Sequence, residues 1–162
     1  MQLLELIKAF EGCKLTAYKC PAGKPTIGYG FCTYLDGSPV KLGDRITQED
    51  ADIMLAKKVD EYRTQVARIV PGTLPAGAVD ALTSFAYNCG VGALNRSTLL
   101  KKIKANKLDL KGIKTEFLKW NKANGKELAG LTNRRVKEYQ MYADAILGQY
   151  SKYELLYMQP PK

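Results

Sequence analysis

EGCKLTAYKCPAGKPTIGYG, residues 11–30, interrupts an otherwise helical pattern, and its reading decides the fold. The stretch is rich in Gly, Pro, Thr and Tyr, and TIGYGF at 26–31 throws side chains alternately to two faces, as a strand does. Upstream, Leu3, Leu4, Leu6, Ile7 and Phe10 fall at helical spacing over 2–11, and Gly12 is a natural stop. Residues 14–30 are therefore expected to form a hairpin beside the end of this first helix, with Gly28 and Gly30 on Thr26's side of the strand as a floor free of side chains. Asp36-Gly37 marks a turn.

Beyond the hairpin the period changes to that of helices. Thr47-Gln48-Glu49-Asp50 offers a cap and an acidic first turn, and Leu55, Val59, Tyr62, Val66 and Ile69 form an apolar stripe that stops at Pro71-Gly72. Further helices are expected at 76–88, 97–105, 110–120 and 132–147, with Ser97 and Thr132 as caps and Gly148 as a stop. The tail 149–162, with Tyr150, Tyr153, Tyr157 and Pro160-Pro161, is expected to pack loosely or fray. The fold class is α+β in one domain over 1–162. Its β lobe covers 12–46, its connecting helix 47–70, and its helical lobe 75–148 together with helix 2–11. A chain of 162 residues supports one sizeable core and is short for two independent domains.

Composition removes whole classes of chemistry. With no histidine, the Ser-His-Asp and Cys-His nucleophile pairs and histidine-bound zinc all go. Cysteines stand at 13, 20, 32 and 89 without a CxxC pair, which argues against a zinc ribbon or thioredoxin-type site and for free thiols. No metal or cofactor is called for, and hydrolysis would rest on carboxylates, hydroxyls and a thiol. MQLLELIKAFEG carries acids in a short amphipathic pattern, unlike a signal peptide, and no apolar run reaches membrane-spanning length. The expectation is a chain without a membrane anchor, held in the cytoplasm of the cell that makes it.

Charge is unevenly placed. Residues 1–94 hold ten basic and ten acidic residues, whereas 95–137 hold thirteen basic and three acidic. Such a half attracts polyanions, whether cell wall, lipid headgroup or nucleic acid, and selects no function by itself. No groove-reading motif is present, so nucleic acid is not the expected partner.

Glu11 closes the first helix next to Phe10. Desolvation and the negative end of the helix dipole both work against a charged carboxylate there, which is the setting a general acid needs. At fixed intervals Cys20, Thr26 and Ile27-Gly28-Tyr29-Gly30 follow. This segment resembles the active-site segment of the phage-type lysozyme family: a glutamate, eight residues, an aspartate, five residues, a threonine, then Ile-Gly-x-Gly. FAYNCGVGALNRSTLLKKI at 85–103 and LTNRRVKEYQMY at 131–142 extend the resemblance over nearly the whole chain. It implies a lysozyme-like fold and a muramidase (endolysin) that cleaves the β-1,4 bond after N-acetylmuramic acid in peptidoglycan, lysing a bacterial host. Glu11 would be the acid, Thr26 would hold the attacking water, and Cys32, Tyr87, Asn88 and Arg134 would contact substrate. A monomer is expected, with a separate holin for export.

The chain departs from the family pattern at one place: position 20 is cysteine, not aspartate. A thiol with a pKa of ~8.5 is mostly neutral at pH 7 and is a poorer base than a carboxylate. Lys19 and Lys24 favour its thiolate, and an ionised Glu11 opposes it. Cys20 is assigned a catalytic role, as base or nucleophile. The alternative is a catalytically impaired wall-binding module.

Overall fold

The structure is a computed structural model and describes residues 2–158. Pro160-Pro161, at the end of the expected tail, lie outside the described residues. The chain divides into two compact units, Met1–Glu61 and Tyr62–Lys162. Strands are few and short among many helices, which makes the class α+β.

In the first unit, helix α1 (Leu3–Glu11) opens with a reciprocal cap in which the Gln2 N–H donates to Glu5 at 3.2 Å, and it buries Leu3, Leu6 and Ile7. Strand β1 (Lys14–Lys19) pairs antiparallel with β2 (Pro25–Gly28), with Tyr18 opposite Thr26. The turn between them is closed by the Cys20 N–H donating to the Lys24 carbonyl at 3.0 Å and the Gly23 N–H donating to the Cys20 carbonyl at 2.8 Å.

The expected strand over 26–31 is cut short. Ile27 and Phe31 exchange backbone hydrogen bonds at 2.9 Å, so the chain reverses through Tyr29-Gly30. Gly28 sits at φ +63°, and a Cβ there would lie 3.2 Å from the Phe31 ring. It is a packing point at a tight reversal, not part of an open floor shared with Gly30, because side-chain alternation does not continue around a turn.

Helix α2 (Gln48–Ile69) starts where its cap predicts: the Asp50 N–H donates to the Thr47 hydroxyl and the Thr47 N–H to the Asp50 carboxylate, both at 3.0 Å. Ala51, Met54, Leu55 and Val59 are its buried stripe in this unit.

The second unit comprises α3 (Ala76–Cys89), α4 (Val91–Arg96), α5 (Thr98–Ala105), α6 (Leu110–Leu118), the hairpin β3 (Lys122–Ala123) and β4 (Lys126–Glu127), α7 (Ala129–Leu147) and α8 (Lys152–Met158). Phe85, Leu94, Leu99, Leu100, Ile113, Phe117, Tyr142 and Ile146 form its core, each large side chain contributing about 1.5–3 kcal/mol of burial. α3 and α7 approach closely at Gly77, where a Cβ would stand 2.8 Å from that of Ala145. Ser97 caps α5 as expected, accepting from the Leu100 N–H at 3.0 Å.

Thr132 is not a cap. α7 begins at Ala129, and the Thr132 hydroxyl donates back to the Leu128 carbonyl and accepts from Asn121. The hairpin at 122–127 was not expected, although Asn124-Gly125, both at positive φ, carries the local signature of a two-residue turn. Nor was α4 expected, or the short helix α8 in the tail. Among the described residues no helix is long and apolar enough to cross a membrane.

Candidate active site

The hairpin turns a spacing of residues into a cluster of atoms. Thr26 is 3% exposed, and its hydroxyl donates to the Lys24 carbonyl at 3.0 Å. The same oxygen lies 3.6 Å from the Cys32 sulfur, and it helps to hold the Cys20 thiol below its ordinary value. Cys32 reaches it because the Ile27–Phe31 exchange makes Thr26 and Cys32 cross-strand neighbours. Cys20, Thr26 and Cys32 therefore meet around one buried hydroxyl. Glu11 ends α1, half-buried, and Gly12 and Cys13 lead from it into β1.

The Cys20 thiol is held below its ordinary value, first by the Lys24 backbone N–H, with the Thr26 hydroxyl helping and partial burial opposing. The ammonium groups of Lys19 and Lys24, expected to favour the thiolate, are not among the causes. Lys24 instead acts through its peptide group, because the tight turn aims that N–H at the sulfur. All four cysteines are free thiols, and burial pushes Cys89 the other way, upward.

A second set of bonds steadies this end of the unit. Tyr29, in the turn after β2, donates to Asp52 of α2 at 2.8 Å, and Gln48 donates to Asp52 at 2.9 Å and to the Tyr29 hydroxyl at 3.0 Å. Lys8 of α1 pairs with Asp52 at 3.3 Å. Burial, with the Asp52 carboxylate beside it, pushes Tyr29 up to about 12, and the Tyr29 hydrogen bond holds Asp52 down. One carboxylate thus links α1, the hairpin's exit and α2. Sequence reasoning overlooked Asp52, since nothing local marks its partners.

In the second unit Tyr87 is half-buried with its ring 5.2 Å from that of Tyr62, and Asn88 is exposed. Arg134 is 3% exposed. It donates to Glu138 at 3.1 Å and to the Ser84 carbonyl at 3.2 Å. Its neighbour Arg135 bonds Glu138 at 2.5 Å, the Trp120 carbonyl at 3.0 Å and the Asn88 side-chain oxygen, while stacking over Phe85 at 5.0 Å. Ser84 donates to Glu138 at 2.8 Å. Burial pushes the Glu138 carboxyl up, and Arg135, Ser84 and Arg134 pull it back. Arg135 and Glu138 were also missed, although their i, i+3 spacing on a helix was a readable signal.

Among the described residues no group of three His, Cys, Asp or Glu side chains is placed to hold a metal ion.

Set against known proteins, residues 8–138 match the family model described as phage lysozyme. The endolysin of Acyrthosiphon pisum secondary endosymbiont phage 1 is 38% identical over 146 residues, covering 88% of this chain and 95% of the relative. The endolysin of Bacillus phage B103 is 40% identical over 141 residues, 86% of this chain but 51% of its own length, so the chain spans about half of that protein. Among solved structures, the endolysin from Escherichia coli O157:H7 phage FAHEc1 superposes with a TM-score of 0.76 at 38% identity, covering 89% of this chain and 94% of that one. The chain belongs to the phage lysozyme family. It is a glycoside hydrolase of the muramidase type, with the function of a phage endolysin acting on the bacterial cell wall.

Proposed function

We propose that the chain cleaves the β-1,4 bond following N-acetylmuramic acid in peptidoglycan, with Glu11 as proton donor and Cys20 and Thr26 serving the attacking water. The observation that carries this reading is the hairpin that follows Glu11, whose turn brings Cys20 back beside Lys24 and the buried Thr26 hydroxyl. A hydroxyl has one proton and two lone pairs. With the Thr26 proton given to Lys24 or to Cys20, a lone pair remains to accept from water. As the C1–oxygen bond breaks, Glu11 protonates the leaving oxygen. Water forms the new bond to C1 and passes a proton to the Cys20 thiolate, the division of labour of an inverting glycosidase. In this reading Cys32, Tyr87, Asn88 and Arg134 contact substrate. Both units act as one monomeric catalytic domain, and no metal or cofactor takes part. The enzyme waits in the host cytoplasm until a separate holin opens the membrane.

One turnover in isotopically labelled water, with the product anomer read by NMR, tests the assignment. Inversion with release of reducing ends is expected. Retention would make Cys20 a nucleophile. Binding to sacculi with no reducing ends released would favour the impaired wall-binding module, for which cysteine at position 20 is the one supporting observation.

A further inference from the structure

Glu11 and the turn that carries Cys20 are joined by a path that does little to fix their separation. Gly12 sits at φ +66° with nothing within 4 Å of the place a Cβ would take, and no residue of β1 is buried. An open glycine followed by an uncovered strand does not by itself set the angle between helix and hairpin. The start of α2 reaches both sides of this joint. Asp52 pairs with Lys8, one turn ahead of Glu11, at 3.3 Å, and accepts from Tyr29, three residues past Thr26, at 2.8 Å. Gln48, one turn earlier on the same face of α2, donates to Asp52 at 2.9 Å and to the Tyr29 hydroxyl at 3.0 Å. Its amide nitrogen also lies 3.9 Å from the sulfur of Cys13, the residue directly after Gly12. The Tyr29 hydroxyl thus gives its proton to Asp52 and takes one from Gln48. Burial and the Asp52 carboxylate push Tyr29 up to about 12, so it remains a donor at neutral pH. The catalytic reading uses none of these side chains.

We propose that Asp52 is a positioning residue for hydrolysis, holding the end of α1 through Lys8 and the exit of the hairpin through Tyr29, and so fixing Glu11 against Cys20 and Thr26; it rests on the muramidase reading. Magnitudes favour a kinetic role over a structural one. The ion pair is 35% and 38% exposed at its two ends, and pairs so open to water add little stability. A displacement of ~1 Å in a reacting group, by contrast, costs up to about 10²-fold in rate. In an inverting hydrolysis the acid and the attacking water work on opposite faces of one sugar. The separation between Glu11 and the hairpin is therefore the distance that the chemistry needs held, and Asp52 is bonded to both of its ends.

The test measures kcat and KM on soluble glycan strands. Asp52→Ala should lower kcat about tenfold with KM within about twofold, and its melting temperature should stay within about 4 °C of the unaltered protein. Tyr29→Phe, which keeps the ring and loses the bond, should show the same split to a smaller degree. Asp52→Asn, whose side-chain oxygen can still accept from Tyr29, should recover part of the loss. Two further readouts separate positioning from a general loosening of the unit. Iodoacetamide should alkylate Cys20 in Asp52→Ala at an unchanged rate, read by peptide mass spectrometry, because the Lys24 N–H that favours its thiolate belongs to the same turn. In a Glu11→Gln background Asp52→Ala should cost nothing more, because its effect passes through Glu11. An unchanged kcat in Asp52→Ala, a Cys20 alkylation rate that moves as much as kcat, or an equal further loss in the Glu11→Gln background would each overturn the positioning role and leave the muramidase reading standing. Full activity in Glu11→Gln alone would overturn both.

Discussion

Thr26 in the first unit and Glu138 in the second are both sealed from solvent, at 3% and 0% exposure, but their partners differ in kind. Around Thr26 stand two thiols and a carbonyl. These are neutral or soft groups, and the sulfur contact is long at 3.6 Å. Around Glu138 two guanidinium groups and a hydroxyl close in at 2.5–3.1 Å. Burying a carboxylate with two cations is tolerable only when each is tightly satisfied, so the second cluster has little freedom to do anything but hold α3 to α7. The first buries no fixed charge, and its half-buried Cys20 can gain or lose a proton without stranding a partner. The difference teaches that burial of polar groups does not by itself mark a site; a group whose protonation can change at small cost does.

If chemistry belongs to the first unit's hairpin, Glu11→Gln should lower the rate of cell-wall turbidity loss by about 10²–10⁴-fold, since an amide cannot protonate the leaving oxygen. Its melting temperature should stay within about a degree of the unaltered protein. A variant keeping more than about a tenth of the activity would contradict the assignment.

The second unit should respond the opposite way. Glu138→Leu strands two buried guanidinium groups and should cost about 3–5 kcal/mol of stability. For a chain of this size that is roughly 6–20 °C in Tm by calorimetry. A melting point unchanged in that variant would mean the network does not lock α3 to α7.

Position 20 sharpens the contrast. Cys20→Ala should lose about 10²-fold in activity and Cys20→Asp should retain or exceed the original. Because the thiol is held below its ordinary value, thiolate accumulates at a lower pH than for a free cysteine. Activity should therefore rise with pH through that range. Aspartate is already ionised across neutrality, so Cys20→Asp should remove this rising limb and move the optimum downward. Iodoacetamide should label Cys20 before Cys89, whose thiol burial pushes up, as peptide mass spectrometry would report. Full activity in Cys20→Ala would leave Glu11 and a Thr26-held water to carry hydrolysis.

The smallest effect concerns neither cluster. Lys101 and Lys104 are exposed on α5 and Lys102 is half-buried, all within the basic stretch 95–137. Reversing the three to glutamate should raise the apparent KM on cell walls several-fold, with kcat little changed. The difference should shrink in high salt, as the screening length falls from ~10 Å at 0.1 M to ~3 Å at 1 M. A KM indifferent to both reversal and salt would make the basic face a solvated surface only.

Much of this was legible in the chain because it is local. The Thr47–Asp50 and Ser97 caps, the stripe of α2, the hairpin after α1 and the Glu11–Cys20–Thr26 spacing each depend on residues a few places apart, where turn and helix geometry leave little choice. Thr132 misled because a hydroxyl three places inside a helix resembles one at its start, and only the backbone path fixes which it is. The tertiary structure alone decided that Cys32 meets Thr26, that Lys24 acts on Cys20 through its peptide N–H, and that Asp52 ties α1 to the hairpin's exit. It also decided that Arg134 donates to Ser84 and Glu138. The physical reason is that charge and hydrogen-bonding capacity are written in each residue, whereas the partner that consumes them is set by chain reversals and packing between distant residues, as with Arg134 and Ser84, fifty positions apart.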